Sequence, residues 1–202
     1  DYSDGTCPSL LLEPSSTNLI TYSEDFSNAA WTKSGSSVVS GFISPDGTTN
    51  AFKLVEDTSN SDHNIHSTSV SVSNSTVHTI HHYVKSGENN IVGLQDVYNS
   101  QYWATINLKN GTILDEKTSG DTKVVLMSNG FYKISIKFTS NQSTVRASIF
   151  LLPNSYANGR PSDKDYTGDG TSGVYIYGAQ IEQGSYATSY IKTVGTTQTR
   201  SA

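Results

Sequence analysis

Residues 131–139 read Phe-Tyr-Lys-Ile-Ser-Ile-Lys-Phe-Thr, which sets Tyr132, Ile134, Ile136 and Phe138 on one side of an extended backbone. Successive side chains of a strand point to opposite faces, so this run suits a sheet with one apolar and one polar face. The pattern recurs along the chain. Residues 77–85 set Ile80, His82 and Val84 against Thr79, His81, Tyr83 and Lys85. Residues 18–22, 38–43, 51–55, 91–97, 102–108, 145–152 and a closing run from Val174 read as further strands. Turn signals separate them: Pro45-Asp46-Gly47, Asn110-Gly111 and Asn129-Gly130. Proline pre-sets φ, and glycine or asparagine accepts the positive φ that tight hairpins require. Residues 24–31 read as a loop or a single helical turn, with Ser23 as its N-cap. No long segment carries helical periodicity and no 20–50-residue repeat is visible. Short strands at this spacing predict a sandwich or a barrel.

A chain of 202 residues is long enough for one such domain. Its low charged fraction, 15%, and its many Ser, Thr, Asn and Gly residues suit sheets with polar outer faces. The 12 Tyr, 6 Phe and 2 Trp supply the apolar area that disordered chains lack. A net charge of −5 leaves no basic field for phosphate, so nucleic acid is not an expected partner. No run of 18 apolar residues exists, so membrane insertion is not expected either. The chain starts at Asp1, its only methionine is Met127 and no signal peptide is visible, the expected look of an excised or processed fragment. Cys7, the single cysteine, has no internal disulfide partner and reads as a small buried residue. Leu10-Leu11-Leu12 reads as a lead-in strand. The expected organisation is a lead-in over 1–17, a sandwich over 18–195 and a tail over 196–202.

Five segments, in order, resemble the carbohydrate-binding-module-like jelly rolls of phage tail fibres and related virion proteins. They are the opening Asn18-Leu19-Ile20-Thr21-Tyr22-Ser23-Glu24-Asp25-Phe26-Ser27-Asn28-Ala29-Ala30-Trp31, the segment Ser44-Pro45-Asp46-Gly47-Thr48-Thr49-Asn50-Ala51-Phe52-Lys53-Leu54, and the strand His81-His82-Tyr83-Val84-Lys85-Ser86-Gly87. Next come Asn129-Gly130-Phe131-Tyr132-Lys133-Ile134-Ser135 and Tyr166-Thr167-Gly168-Asp169-Gly170-Thr171-Ser172-Gly173, which leads into the closing strand Val174-Tyr175-Ile176-Tyr177-Gly178-Ala179-Gln180. The similarity covers roughly residues 10–195. It implies an all-β jelly-roll β-sandwich of two antiparallel sheets in a virion or extracellular protein. It implies a polysaccharide or cell-surface glycan as partner, and a homotrimeric fibre as the assembly. Domains of this shape also serve as structural, oligomerising spacers.

Sugar recognition needs an aromatic face for the ring and planar polar groups for its hydroxyls. If the central strands share a sheet, its outer face carries Trp103, Tyr83, His81, Gln95 and Arg146, with Asn107 on the side of Trp103. This is the expected ligand-binding set. A jelly-roll polysaccharide lyase or hydrolase is the enzymatic alternative; the lyase needs a Tyr or His base beside Arg, which Tyr83, His81, Arg146 and Gln95 would supply. The chain contains no Gly-x-Ser-x-Gly, His-Glu-x-x-His or phosphate-loop motif, so a non-enzymatic role is expected.

Metal chemistry offers two readings. Jelly-roll modules of the resembled kind often carry a structural calcium between opening loop and closing strand. The resemblance implies Glu24, Asp25, Asp46, Thr49 and Glu182 as its oxygen donors. Gly178-Ala179-Gln180 stands where an Asp pair is common in those modules. His63, His66, His78, His81 and His82 cluster in sequence, but neighbouring positions on a strand point apart, so hydrogen-bonded or solvated histidines are expected. Asp163, Asp165 and Asp169 lack the final Glu of an EF-hand and read as a solvated turn.

Overall fold

The computed structural model describes residues 13–118 and 120–202. The expected lead-in strand at Leu10-Leu11-Leu12 and the reading of Cys7 lie outside the described residues.

Twelve strands build two antiparallel six-stranded sheets. In chain order they are Trp31–Ser34 (β1), Ser36–Phe42 (β2), Ala51–Glu56 (β3), His63–Ser67 (β4), Val77–Ser86 (β5) and Ile91–Gln95 (β6). They continue with Trp103–Asn107 (β7), Thr112–Glu116 (β8), Thr122–Leu126 (β9), Tyr132–Thr139 (β10), Ser148–Leu152 (β11) and Gly173–Gln183 (β12). The first sheet has the order β8-β7-β6-β11-β4-β1, the second β9-β10-β5-β12-β3-β2. The chain passes repeatedly from one sheet to the other, and the two pack as a jelly-roll β-sandwich. Among the described residues no helix is long and apolar enough to cross a membrane.

The inner faces follow the period-two pattern. Ile80 and Val84 of β5, Ile134, Ile136 and Phe138 of β10, and Val92 and Leu94 of β6 join one buried cluster with Leu54, Ile65, Ile106, Ile149 and Ile181. Phe26 and Trp31 enter it with their rings tilted against each other, centroids 4.7 Å apart. The Trp31 indole N–H is satisfied by the Tyr22 carbonyl at 2.7 Å, as a buried indole requires. The Asn110-Gly111 and Asn129-Gly130 signals mark the β7–β8 and β9–β10 hairpins.

Two local expectations change. Residues 18–22 do not form a strand of either sheet. Ser16–Asn18 instead pairs with Gln198–Arg200 in a separate ribbon, and Tyr22 makes one bridge to Val194. Asn18 ties the opening to the closing strand: its Nδ2 donates to the carbonyls of Ala179 and Ile191, and its Oδ1 accepts from the Ile181 amide. Residues 24–31 take the loop reading of the two expected, without a helical turn; Asp25 Oδ1 accepts from the Ser27 amide at 3.2 Å, a local turn of the kind short acidic side chains favour. The 145–152 strand is split, because Thr144–Val145 pairs with Val70–Ser71 while Ser148–Leu152 joins the first sheet.

The outer faces are less open than alternation predicts. Residues 185–193 strap the outer face of the second sheet, and Tyr190 packs on Tyr83 and Tyr177. The long loop between β11 and β12 covers part of the first sheet, where Pro161 is buried against Gly93.

Candidate functional site

The expected sugar platform is divided between the two sheets. Tyr83 and His81 lie on β5, on the outer face of the second sheet, and both are buried beneath the 185–193 strap. Trp103, Gln95 and Asn107 lie on β7 and β6 of the first sheet. A face common to all of them therefore does not exist, and the Tyr83–His81–Arg146–Gln95 arrangement for a lyase is not assembled. The assumption that failed is that β5 and β7 share a sheet; the chain crosses the sandwich between β5 and β6.

On the first sheet the outer face carries a continuous cross-strand row. Trp103 pairs with Gln95, the β6–β11 register sets Gln95 beside Ser148, Ser148 pairs with His66, and His66 with Thr32. From Trp103 to His66 is three inter-strand steps, about 14 Å. Trp103 at one end is half-buried. At the other end the Arg146 guanidinium lies 4.1 Å from the Tyr98 ring centroid, and the His66 ring meets Tyr98 edge-on at 5.6 Å. Tyr98 is 63% exposed. Among the described residues no carboxylate pairs with Arg146, so its planar donors remain free while its face rests on an aromatic ring. Burial, with Arg146 adding to it, lowers the His66 pKa and keeps this imidazole neutral near pH 7.

The middle of the row is already engaged. Gln95 is fully buried; its Nε2 donates to Ser162 Oγ at 3.0 Å and its Oε1 accepts from the Ser162 amide at 3.1 Å. It clasps the covering loop, and its amide is not free for sugar hydroxyls. Asn107 holds the following turn through the Lys109 amide. Ser148 Oγ is buried without a partner. Of the six expected ligand residues, Trp103, Asn107 and Arg146 keep a partly accessible position here, and Asn107 is turned to its own hairpin. Tyr98 and His66 are the residues that alternation did not point to. The Asp96-Val97-Tyr98-Asn99-Ser100 run, polar around one tyrosine after a strand, carried a usable signal for an exposed aromatic.

The oxygen donors expected for calcium come together only in part. Glu24, Asp25 and Thr49 line one surface recess, and Asp46 joins through the Tyr177 hydroxyl, 3.1 Å from both Glu24 Oε1 and Asp46 Oδ2. Burial and then the two carboxylates push the Tyr177 hydroxyl pKa up, so it stays protonated between them. The Lys192 ammonium sits 2.6 Å from Glu24 Oε2 and supplies the positive charge. The Ser44 hydroxyl, with the Thr48 and Tyr177 donors, holds the Asp46 carboxyl well below its usual range. Glu182 is elsewhere, fully buried, and accepts from Ser16, Gln180 and Thr188. A lysine-neutralised, hydroxyl-bridged carboxylate pair does not fit the oxygen cage that calcium needs. Among the described residues no group of three His, Cys, Asp or Glu side chains is placed to hold a metal.

The histidines divide as well. His63 bonds to the Gly35 and Tyr166 carbonyls, His66 to Asn64 and His78 to the Thr76 carbonyl. His81 and His82 are fully buried with all four ring nitrogens unpartnered, against the expectation of solvated or hydrogen-bonded rings.

No protein-family model matches the chain, and no curated protein does. Among solved structures it is similar to the enzymatically active domain of tailspike protein 4 of bacteriophage CBA120, at 14% identity and TM-score 0.46, over 81% of this chain and 21% of that one. It is similar to the CBM22-1–GH10 modules of Clostridium thermocellum endo-1,4-β-D-xylanase 10B complexed with xylohexaose, at 12% identity and TM-score 0.43, over 88% and 29%. It is also similar to the CBM22-1 xylan-binding domain of Paenibacillus barcinonensis Xyn10C, at 13% identity and TM-score 0.41, over 85% and 94%. The chain thus spans less than a third of the tailspike and xylanase chains.

Proposed function

We propose that this β-sandwich is a non-catalytic carbohydrate-binding domain of a virion or extracellular protein, and that it holds a surface polysaccharide on the outer face of its first sheet. One observation carries the reading: two accessible aromatic groups, Trp103 and the Arg146-stacked Tyr98, flank one polar cross-strand row. Sugar rings present apolar faces and hydroxyl rims; the aromatic faces at the two ends meet the first, and the unpaired Arg146 guanidinium beside Tyr98 meets the second. Arg146 supplies hydroxyl- or carboxylate-pairing donors in a fixed plane.

The test is a screen against bacterial and plant polysaccharides with wild type, Trp103→Ala and Tyr98→Ala. Saturable binding that weakens about tenfold or more in each variant supports the proposal, since a lost stacking face is worth about 0.5–1.5 kcal/mol beyond buried area. Binding unchanged in both variants removes this face as the site. Release of unsaturated sugar ends would instead assign Tyr98, His66 and Arg146 to β-elimination, because they bring a hydroxyl, an imidazole and a cation together. The fibre assembly belongs to the same proposal. Val125 and Leu126, exposed on the edge strand β9, are apolar surface that a homotrimer would cover, and sedimentation equilibrium reports its mass.

A further inference from the structure

Where the opening loop meets the chain beyond β12, the sandwich leaves a recess of about 340 Å³, bordered by β2, the turn into β3, residues 22–25 and residues 192–194. The volume is at the lower end of small-ligand sites, a size for one ring rather than a chain. The recess shares no residue with the face between Trp103 and Tyr98.

Its walls are apolar. Phe52 stands opposite Ser40 in the β2–β3 register and meets Phe26 edge-on at 5.8 Å, so the core fixes its ring. Tyr22 pairs with Val194 in one backbone bridge. Both rings are half-buried, and Val194 is 72% exposed. The rim is polar, and the residues that carry it are exposed. Asp25 Oδ1 is taken by the Ser27 amide and hydroxyl, while Oδ2 has no partner among the described residues. The Thr49 and Ser40 hydroxyls have none there either. Lys192 donates to Glu24 Oε2 with its side chain 58% exposed. The rim thus offers an acceptor, two hydroxyls that donate and accept, and an ammonium donor. Around apolar walls, that set complements a ring with C–H faces and a hydroxyl edge.

Charge excludes rather than attracts an acidic ligand. Glu24 is matched by Lys192 at 2.6 Å, and Lys33 stands near Asp25 as its counter-charge. Asp46, next to them, is held by Ser44, Thr48 and Tyr177. No cation is left over for a ligand carboxylate, and three carboxylates oppose one.

We infer that this recess is a second glycan site, an end-on subsite for one neutral sugar residue, with its ring on Phe52 and Tyr22 and its hydroxyls on Asp25, Thr49 and Lys192. The inference shares the ligand class of the glycan-binding reading and goes beyond it in place. Two separate sites let one domain hold a glycan-covered surface at two points, which raises retention through effective concentration.

The experiment titrates the methyl glycosides of glucose, galactose and xylose, with glucuronate and galacturonate beside them, by ligand-observed NMR and calorimetry on the intact chain. At least one neutral glycoside is expected to bind, about threefold or more tighter than either uronate. Asp25→Asn leaves an oxygen for the Ser27 turn and removes the charged acceptor, which should weaken binding about tenfold. Val194→Asp removes an apolar wall and should weaken it about fivefold. Both side chains are exposed, so melting temperatures should stay within about 2 °C of wild type, and Trp103→Ala should bind the glycoside unchanged. Uronates that bind as well as neutral glycosides overturn the proposal, and so does glycoside binding that survives both recess substitutions. Glycoside binding lost in Trp103→Ala, or polysaccharide retained through Trp103 and Tyr98 with no glycoside titration, overturns the recess and leaves the outer-face reading standing. Glycoside binding through Asp25 and Val194 with no retention through Trp103 and Tyr98 supports the recess and overturns the outer face instead.

Discussion

Gly93 shows how one missing side chain positions the site. A Cβ there would sit 2.3 Å from the Pro161 Cβ and Cγ atoms, well inside contact distance. The loop between β11 and β12 therefore lies on the sheet because residue 93 has nothing to push it away, and the Gln95–Ser162 pair closes over that contact. Gly93→Ala should lift the loop. The expected outcome is a loss of about 1–3 kcal/mol in urea unfolding, the range for overpacking a close contact. Proteolytic cleavage within residues 154–165 should also appear under native conditions. An unchanged urea midpoint would mean that the loop is held by other contacts than Pro161. The same residue explains a failure of the sequence reading. Gln95 has the chemistry of a sugar-binding amide, and nothing in its neighbours says that Ser162, 67 positions away, takes both ends of it.

At the scale of elements, the strands and hairpins were legible and the coverings were not. Period two set the inward residues of β5, β6 and β10, and the Asn-Gly pairs set two hairpins, because strand faces and tight turns are decided by near neighbours. Which sheet a strand joins is decided by long-range crossings, so Tyr83 was grouped with Trp103 although the sandwich separates them. The 185–193 strap is equally non-local. Lys133 donates to the Thr188 carbonyl, the Thr188 amide donates to Glu182, and Tyr190 donates to Ser23. Burial, aided by Glu182, pushes the Tyr83 hydroxyl up to about 12 beneath it. Gly178 makes the strap fit. It sits in the β12 register shift with φ +55°, and a Cβ would approach Tyr83 at 3.1 Å and Tyr190 at 3.2 Å. Gly178→Ala should cost about 1–3 kcal/mol through backbone strain and ring crowding. Hydrogen exchange should rise first in residues 185–193, while β6 and β7 stay protected. Faster exchange across both sheets at once would show that strap and sandwich open as one unit.

For the whole molecule, the two unpartnered histidines set the acid limit. His82 lies on the inner face of β5 with Ile80 and Val84, and burial alone lowers its pKa to about 3. Burial lowers His81 well below its ordinary value too; Lys133 and His82 add to the effect, and Glu182 lies 4.0 Å away. Both are neutral in the fold and take up a proton on unfolding below the ordinary histidine value near 6.5. The unfolded chain therefore binds more protons than the native one, so stability is full above about pH 6.5 and falls as pH drops toward the folded values. Each ring contributes a slope of about 1.4 kcal/mol per pH unit, so His82 alone removes about 2 kcal/mol by pH 5. Asp62 and Asp96 act the other way, because burial raises their pKa values and their protonation favours the fold. The hydrogen-bonded carboxylates Asp46 and Asp169, held low, withdraw stability only below the ordinary carboxylate range. The steep loss between pH 6.5 and 4 is thus assigned to the histidines. His82→Leu fills the same apolar layer without a titrating ring. It should match or exceed wild-type stability at pH 7 and cut the slope of unfolding free energy against pH by about one proton's worth, 1.4 kcal/mol per unit. Urea unfolding at half-unit steps from pH 7.5 to 4 reads that slope directly. Parallel curves for the two proteins would show that His82 is protonated or solvated in the folded state.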